Sequence, residues 1–270
     1  MQSQLLTMNK LENLKIIIFD LDDTLIVEVA AVEAAFLATC ELAHKKYGID
    51  AENLYHTVKS HGRQLWNAFV DIEYCNNIGI GYWEGLWGNF IGDHHNLKFI
   101  SDRIPTYRYQ VWYNALAEFK INDSIFVQQL VDVFGNELRQ RLVLFPETES
   151  TLKQLSQNYS LALITNGISD LQHEKLEKTN LLAYFQHITI SGEEGFGKPD
   201  PRIFKLTLDK LGISVENAAM VGDNLSRDIK GAQKIGIRGI WINRSRKTLS
   251  QDICIPDAQI SSLIELLKLF

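Results

Sequence analysis

Two aspartates that follow an apolar run have the residue type and spacing for covalent catalysis with proton transfer. The run 16–19 leads into Asp20 and Asp22, which lie at positions i and i+2. At the end of a strand such residues project to the same side, roughly 7 Å apart at about 3.3 Å rise per residue. One carboxylate can then attack an electrophilic centre while the other passes a proton to the leaving group. Taken alone, the tetrapeptide 20–23 fits a polar turn equally well.

The repulsion between these two carboxylates predicts a cation. Like charges so close together need a counter-ion or shared protons. Oxygen ligands beside a phosphate favour Mg²⁺, which keeps several waters and binds one or two protein carboxylates. A Mg²⁺ site at Asp20 and Asp22 is therefore expected.

The segment before Asp20 predicts a central strand of a parallel sheet. It is apolar at every position from 16 to 19 and rich in β-branched residues. Such a run without alternation is typical of a strand that is buried on both faces. In an open α/β sheet, ligands bind beyond the carboxyl ends of the strands, which is where the two aspartates fall.

The second half of the chain alternates between strand and helix patterns. This alternation favours a parallel, Rossmann-like sheet built of right-handed βαβ units. Asp200 is a predicted N-cap, with Pro201 in the first turn of a helix that Gly212 ends. The predicted strands cover 160–164, 187–190, 218–221 and 237–242, and the other helices cover about 147–157, 170–184 and 226–235.

The region between the first strand and this second half has an entirely helical pattern. Its first helix covers 29–47 and can be closed by Gly48, and a second helix is interrupted near Gly62. Two further helices are predicted at about 107–119 and 124–142.

The predicted domain organisation follows from these patterns. Residues 1–27 and 146–270 form an α/β core domain, and residues 28–145 form a helical domain inserted after the first strand. Within the insertion, the segment from Tyr74 to Tyr113 is rich in aromatic residues and glycine. Its rings could stack on a substrate, form the core of the insertion or make a dimer contact.

Polar residues end each of the strong strands. Thr165 follows the second strand, Asp223 follows a later one with Asp228 five residues on, and Lys198 lies in a glycine-rich loop. A phosphate ester repels a carboxylate nucleophile, so a cation, a lysine and hydroxyl or backbone donors must surround its oxygens. These residue types are what phosphoryl transfer through a covalent intermediate requires.

The order of these residues resembles the four motifs of the haloacid dehalogenase (HAD) superfamily. The matching segments are Asp20-Leu21-Asp22-Asp23-Thr24, Ile164-Thr165-Asn166-Gly167, Gly197-Lys198-Pro199-Asp200-Pro201, and Gly222-Asp223-Asn224 with Asp228. The helical insertion is similar in position to the C1 cap of that superfamily. The later motifs resemble the branch with pyrimidine nucleotidases and N-acylneuraminate-9-phosphatase.

The resemblance implies a role for each matching residue. Asp20 attacks phosphorus, and Asp22 protonates the leaving oxygen and then activates water. Mg²⁺ is held by the Asp20 side chain, the Asp22 backbone carbonyl and the Asp223 side chain.

Three further residues bind phosphate according to the same resemblance, and a fourth orients its neighbours. Thr165, the Asn166 backbone and Lys198 hold the phosphoryl oxygens. Asp228 orients a metal-bound water or Lys198.

The implied function is a Mg²⁺-dependent phosphatase that acts on a small phosphomonoester such as a nucleotide or sugar phosphate. Asp22 favours phosphoryl chemistry because dehalogenases of the superfamily lack an acid there. A phosphomutase on the same core and a phospho-ligand binding protein without turnover are also compatible with the motifs.

Composition narrows the possible classes of function. The net charge is −6 and no basic run is present, which argues against nucleic acid or a membrane surface as a partner. No run of about 18 apolar residues is found, so a cytoplasmic location is expected. A monomer or homodimer is expected as the oligomeric state. Three scattered cysteines predict neither disulfides nor zinc, and His94-His95 is interpreted as an ordinary polar pair.

Overall fold

The chain divides into two compact units in the computed structural model, which describes residues 13–92, 94–248 and 254–270. The first unit, called the α/β unit below, runs up to Val27 and continues over Val143–Asn166 and Glu174–Phe270. The second, called the helical unit, comprises Glu28–Leu142 and Gly167–His173. Relative to the predicted domains, the helical unit ends three residues earlier and gains the segment 167–173.

The α/β unit is built on a six-stranded sheet. The strands of the described residues are β1 (Ile16–Phe19), β2 (Ile26–Val27), β3 (Val143–Leu144), β4 (Ser160–Thr165), β5 (His187–Ile190), β6 (Ala218–Gly222), β7 (Arg238–Ile242) and β8 (Ala258–Ile260). The sheet order is β5-β4-β1-β6-β7-β8, and every pair in it is parallel. The predicted α/β fold with a parallel sheet is confirmed.

Strand β1 lies in the centre of the sheet, where its entirely apolar side chains are shielded from water. Its four residues are fully buried, and it pairs with β4 on one side and β6 on the other. Phe19 lies level with Leu163 and with Val221, so the three strands end at the same edge. This register brings the residues that follow each strand to one place.

Thirteen α-helices lie in the part of the chain that the structure describes. They are α1 (Val29–Tyr47), α2 (Ala51–Phe69), α3 (Ile72–Ile78), α4 (Tyr82–Gly85), α5 (His95–Ser101), α6 (Ile104–Glu118), α7 (Ser124–Arg141), α8 (Thr148–Leu155), α9 (Ser169–Lys178), α10 (Ser191–Glu194), α11 (Pro201–Leu211), α12 (Lys230–Gln233) and α13 (Leu266–Leu269). None of them has the length and hydropathy that crossing a bilayer requires.

Local sequence signals set several helix ends correctly. Helix α1 has the predicted bounds, and Gly48 follows it in the left-handed conformation with φ of 71°. Asp200 caps α11 by accepting a hydrogen bond from the Arg202 amide, and Gly212 ends that helix, also left-handed. In these places the residue type alone determines the backbone conformation.

The predicted interruption of α2 at Gly62 is wrong. The helix is continuous from Ala51 to Phe69. Gly62 lies where a Cβ atom would be 2.8 Å from the Tyr82 ring, and its carbonyl accepts a hydrogen bond from the Tyr107 hydroxyl. The glycine permits close packing of another segment rather than ending the helix.

Several predicted elements differ in detail from those observed. The predicted helix 170–184 ends at Lys178, and a separate 3-10 turn covers Leu182–Tyr184. The predicted helix 226–235 is a π-helical turn, Leu225–Ile229, followed by the short α12. Strand β3 lies inside the region predicted to be helical, and β8 was not predicted because it has only three residues.

The aromatic segment forms much of the core of the helical unit. Trp87, Phe90, Tyr107 and Trp112 are each at most 2% exposed. Tyr107 also packs edge-on against Trp66 of α2, with ring centroids 5.4 Å apart. Of the roles that the sequence left open for these rings, the structure favours the core.

Candidate active site

A tight turn at the end of β1 carries the first two acidic residues. The Asp20 amide donates to the Val221 carbonyl at 2.9 Å, which continues the pairing with β6. The Leu21 carbonyl then accepts hydrogen bonds from the amides of Leu25 and Ile26. The backbone therefore reverses directly after Asp20, and Asp22 lies within the turn.

Lys198 joins two of the predicted carboxylates. Its ammonium lies 2.5 Å from Asp20 Oδ1 and 2.7 Å from Asp228 Oδ1. All three side chains are nearly inaccessible to solvent. Burial removes the hydration of all three charges. The ammonium and the two carboxylates therefore depend on one another for charge compensation.

Thr24 links the end of β1 to the end of β6. Its hydroxyl donates to Asp20 Oδ2 at 2.9 Å and accepts from the Asp223 amide at 3.1 Å. The Asp20 carboxylate is thus held at both oxygens, by Lys198 on one and by Thr24 on the other. Thr24 belongs to the first motif, but the sequence alone assigned it no role.

The end of β6 is shaped by a close approach of Gly222 to Asp228. A Cβ atom on Gly222 would lie 2.3 Å from Asp228 Oδ2, so only glycine fits there. That same oxygen accepts a hydrogen bond from the Asn224 amide at 2.9 Å. The Asp223 carbonyl accepts from Trp241 Nε1 at 2.8 Å, which fixes the backbone between the two aspartates.

Asn166 connects the end of β4 to the loop of Lys198. Its side-chain amide donates to the Lys198 carbonyl and accepts from the Lys198 amide, both at 2.8 Å. A Cβ atom on Gly197 would lie 2.5 Å from Asn166 Oδ1, so a glycine is needed beside this pair. Thr165, the last residue of β4, is fully buried.

Asp22 contacts a second buried lysine, Lys175, which was not predicted from the sequence. Lys175 Nζ lies 2.8 Å from Asp22 Oδ1. The lysine side chain is 1% exposed and that of Asp22 is 19% exposed. Lys175 belongs to α9, and nothing in the sequence distinguishes it from its neighbour Lys178.

Electrostatics favour a cation at this edge of the sheet. Burial raises the pKa of Asp20 to about 7, with Asp228 and Asp22 adding to the shift and Lys198 opposing it. Burial together with the nearby Asp20 raises the pKa of Asp223 to about 8. For Lys198, burial lowers the pKa, but the carboxylates of Asp20 and Asp228 outweigh it and the net shift is upward. The carboxylates of Asp20, Asp223 and Asp228 therefore carry more negative charge than the single ammonium of Lys198 can compensate.

The donor set fits a hard divalent cation. Asp20, Asp223 and Asp228 each offer a carboxylate oxygen, and these atoms all lie within 4.8 Å of one another. Oxygen ligands of this kind suit Mg²⁺. Asp228 binds Lys198 with one oxygen and the Asn224 amide with the other, just as Asp20 binds Lys198 and Thr24.

All predicted site residues lie in the α/β unit. Contacts join Asp20, Lys198 and Asp228 directly, and Thr24 and Asn166 connect Asp223 and the end of β4 to this group. Asp22 lies in the same turn as Asp20 and pairs with its own lysine. The roles given to these residues remain predictions.

The predicted histidine pair lies in the helical unit. His94 stacks on Tyr74 with ring centroids 4.5 Å apart, and its Nδ1 accepts a hydrogen bond from the Asn96 amide.

The chain is similar to proteins of one family along most of its length. The family profile described as haloacid dehalogenase-like hydrolase matches residues 17–242. A phosphoserine phosphatase of Thermus thermophilus is 33% identical over 253 residues, which is 93% of this chain and 97% of that protein. An N-acylneuraminate-9-phosphatase of Mus musculus is 27% identical over 258 residues, 95% of this chain and 93% of that protein.

Solved structures show the same fold. A 2-haloacid dehalogenase from Pseudomonas syringae has 28% sequence identity and a TM-score of 0.58, covering 95% of this chain and 97% of that one. The resemblance inferred from the four motifs is confirmed, and with it the prediction of a hydrolase. The chain belongs to the haloacid dehalogenase-like hydrolase family.

Proposed function

We propose that the chain is a Mg²⁺-dependent phosphatase that hydrolyses a small phosphomonoester through an aspartyl-phosphate on Asp20. The observation that carries the proposal is the pair of carboxylates after β1. Asp20 is buried and held by Lys198 and Thr24, and Asp22 follows two residues later with its own buried lysine. A nucleophile and an acid, each fixed separately, are what the reaction needs.

In the first step, an Asp20 carboxylate oxygen attacks phosphorus and the bond from phosphorus to the leaving oxygen breaks. Asp22 donates a proton to that oxygen, so an alcohol departs rather than an alkoxide. The ester of Asp20 with the phosphoryl group is the product of this step.

In the second step, water attacks the phosphorus of the aspartyl-phosphate. Asp22, now ionised, accepts a proton from the water. The bond between phosphorus and the Asp20 oxygen breaks, inorganic phosphate leaves, and the carboxylate is restored.

Neighbouring residues reduce the repulsion between phosphate and carboxylate. Lys198, Thr165 and the Asn166 backbone bind the phosphoryl oxygens in this proposal. Asp228 acts by orienting Lys198, in line with their 2.7 Å contact. The side chain of Asn166 supports the same residue through its two hydrogen bonds to the Lys198 backbone.

The Asp20 side chain, the Asp22 backbone carbonyl and the Asp223 side chain would hold Mg²⁺. The ion supplies positive charge that offsets the carboxylates and the phosphoryl oxygens. The raised pKa values of Asp20 and Asp223 support this assignment, since a cation would remove the repulsion that contributes to them.

The proposed substrates are nucleotides, sugar phosphates and related small esters. The relatives from Thermus thermophilus and Mus musculus are each named for the removal of phosphate from such an ester. In this proposal the helical unit serves as a cap that contributes to substrate choice. A monomeric or homodimeric state and a cytoplasmic location stay predictions.

A dehalogenase is the competing function, because one similar structure is that of a 2-haloacid dehalogenase. Displacement of a halide ion requires no proton donor, and the presence of Asp22 therefore favours the phosphatase. A binding protein without turnover would have no use for a paired nucleophile and acid. A phosphomutase would use the same pair, and it differs from a phosphatase in returning the phosphoryl group to a sugar instead of to water.

A substrate panel tests the proposal. Phosphate release is measured from nucleoside monophosphates, sugar phosphates and O-phosphoserine, with Mg²⁺ and with EDTA, and chloride release from 2-chloropropionate is measured in parallel. We expect metal-dependent phosphate release and no chloride. Chloride release without phosphate, or isomerisation of a sugar phosphate without phosphate release, would overturn it.

A further inference from the structure

Two lysines are buried in the part of the chain that the structure describes, and each contacts one of the two aspartates after β1. Lys198 lies against Asp20, and Lys175 lies against Asp22. Burying an ammonium group removes its hydration, and an ion pair only partly compensates that loss. A buried lysine therefore needs a reason beyond stability, and for Lys198 that reason is the phosphate.

Lys175 is placed to fix the orientation of Asp22. Its ammonium binds Oδ1 at 2.8 Å, which restricts rotation of the carboxylate and thereby gives Oδ2 a defined direction. Asp22 forms an isolated β-bridge with Ile26, and its side chain is 19% exposed against 9% for Asp20, so packing confines its carboxylate less than that of Asp20. A proton donor must lie within hydrogen-bond reach of the leaving oxygen, and its direction matters as much as its distance.

The scaffold of Lys175 is suited to this task. It extends from α9, and its side chain is 1% exposed, so its position is set by the packing of the α/β unit. A site residue is held most accurately by a neighbour whose own conformation is fixed by packing. The contact spans 153 residues of sequence, so it exists only in the folded chain.

We propose that Lys175 is a positioning residue that holds Asp22 for proton transfer to the leaving group. This inference rests on the proposed function, because it assigns a partner to the acid of that reaction. It adds to the four motifs a residue that none of them contains.

The test compares two esters that differ in their need for an acid. p-Nitrophenyl phosphate releases a weakly basic phenolate that departs without protonation, whereas phenyl phosphate releases a more basic one. The ratio kcat/KM covers the steps up to departure of the leaving group, so it isolates the acid role of Asp22. Lys175→Met should lower kcat/KM about 10²-fold for phenyl phosphate and less than about tenfold for p-nitrophenyl phosphate.

A double variant shows whether Lys175 acts through Asp22. In an Asp22→Asn background, Lys175→Met should cause no further loss on phenyl phosphate, because the acid it positions is already gone. Lys178→Met, at an exposed lysine on the same helix, is the matched control and should leave both esters unchanged. If the methionine variant does not fold, Lys175→Gln, which keeps a hydrogen-bond donor, is used for the same comparison of kcat/KM on the two esters.

Equal losses on the two esters, or the same further loss in the Asp22→Asn background, would overturn the positioning role. Failure of the underlying function looks different. If Asp22→Asn itself does not discriminate between the esters, the acid role of Asp22 is wrong, and the inference falls with it. If Asp22→Asn discriminates and Lys175→Met does not, only the inference is wrong.

Discussion

The α/β unit and the helical unit bury polar groups in different ways. In the α/β unit, lysines and carboxylates are buried together at strand ends, as in the group of Asp20, Lys198 and Asp228. In the helical unit, the core is largely aromatic, and Arg108 donates to the carbonyls of Gly85 and Gly88. Buried charge held by opposite charge is suited to chemistry, whereas a half-buried arginine that donates to carbonyls after a short helix supports the backbone.

The comparison predicts that the largest losses of activity arise in the α/β unit without loss of fold. Asp20→Asn should lower kcat/KM on the order of 10⁴-fold or more, because an amide cannot serve as the nucleophile. Phosphate release measures the loss, and circular dichroism checks that the variant is folded. Asp209→Asn, at an exposed position of α11, is the control and should retain full activity.

A second prediction concerns the buried lysine between two carboxylates. Lys198→Met should remove activity and also lower the free energy of unfolding by about 3–5 kcal/mol, because Asp20 and Asp228 stay buried without their partner. Lys205→Met breaks an exposed pair with Asp209 and should cost less than about 0.5 kcal/mol. Denaturant unfolding of both variants measures the two changes in the free energy of unfolding. Similar losses for the two would mean that the buried group is not a charge network.

In the helical unit, glycine substitutions should change stability through packing and should not change the reacting groups. Gly62→Ala should destabilise the protein by about 1–3 kcal/mol, because its Cβ would lie 2.8 Å from the Tyr82 ring. At Gly135 on α7 an added Cβ would lie 3.1 Å from the end of the Arg139 side chain and 3.6 Å from Trp87 Cβ, so Gly135→Ala should be neutral or stabilising by up to about 1 kcal/mol. Thermal unfolding measures both. A stabilising Gly62→Ala would contradict the close packing described for α2.

The smallest effect is the pH dependence of stabilisation by Mg²⁺. Asp20 and Asp223 have folded-state pKa values of about 7 and 8, above those of an unfolded chain. The folded state then binds protons more tightly than the unfolded state, so stability without a cation falls as the pH rises from about 4 to about 8. Mg²⁺ binds the ionised carboxylates and should restore that loss.

We therefore expect MgCl₂ to raise the unfolding temperature by about 2–4 °C at pH 8 and by less than about 1 °C at pH 5. Differential scanning calorimetry measures the shift, with NaCl at matched ionic strength as the control. An equal shift at both pH values would show that the ion binds somewhere other than this group of carboxylates.

The sequence predicted the site where local pattern and chemistry agree. The apolar run before Asp20 and the residues after β4 and β6 were recognisable because strand ends meet at one edge of a parallel sheet. Lys175 could not be recognised, because its contact with Asp22 spans 153 residues and α9 contains a second lysine nearby. A pairing of this kind depends on tertiary packing.

The differences between the predicted and the observed elements and units have a similar origin. The low helix propensity of glycine predicts a break at Gly62, but packing against Tyr82 and Tyr107 determines the role of this residue. The boundary of the helical unit after Asn166 also follows from contacts: the Gly167 amide donates to the Ile78 carbonyl, far away in the sequence. Glycine signals were reliable where the backbone is left-handed, as after α1 and α11.

The central claim is that Asp20 becomes covalently phosphorylated, and trapping this intermediate tests it most directly. The protein is mixed with a substrate identified from the panel, quenched in acid within one turnover and treated with borohydride, which reduces an acyl phosphate to an alcohol. Peptide mass spectrometry should then find homoserine at position 20 in the wild type and no such product in Asp20→Asn. Rapid phosphate release with residue 20 left unmodified, or modification at a different carboxylate, would contradict the account.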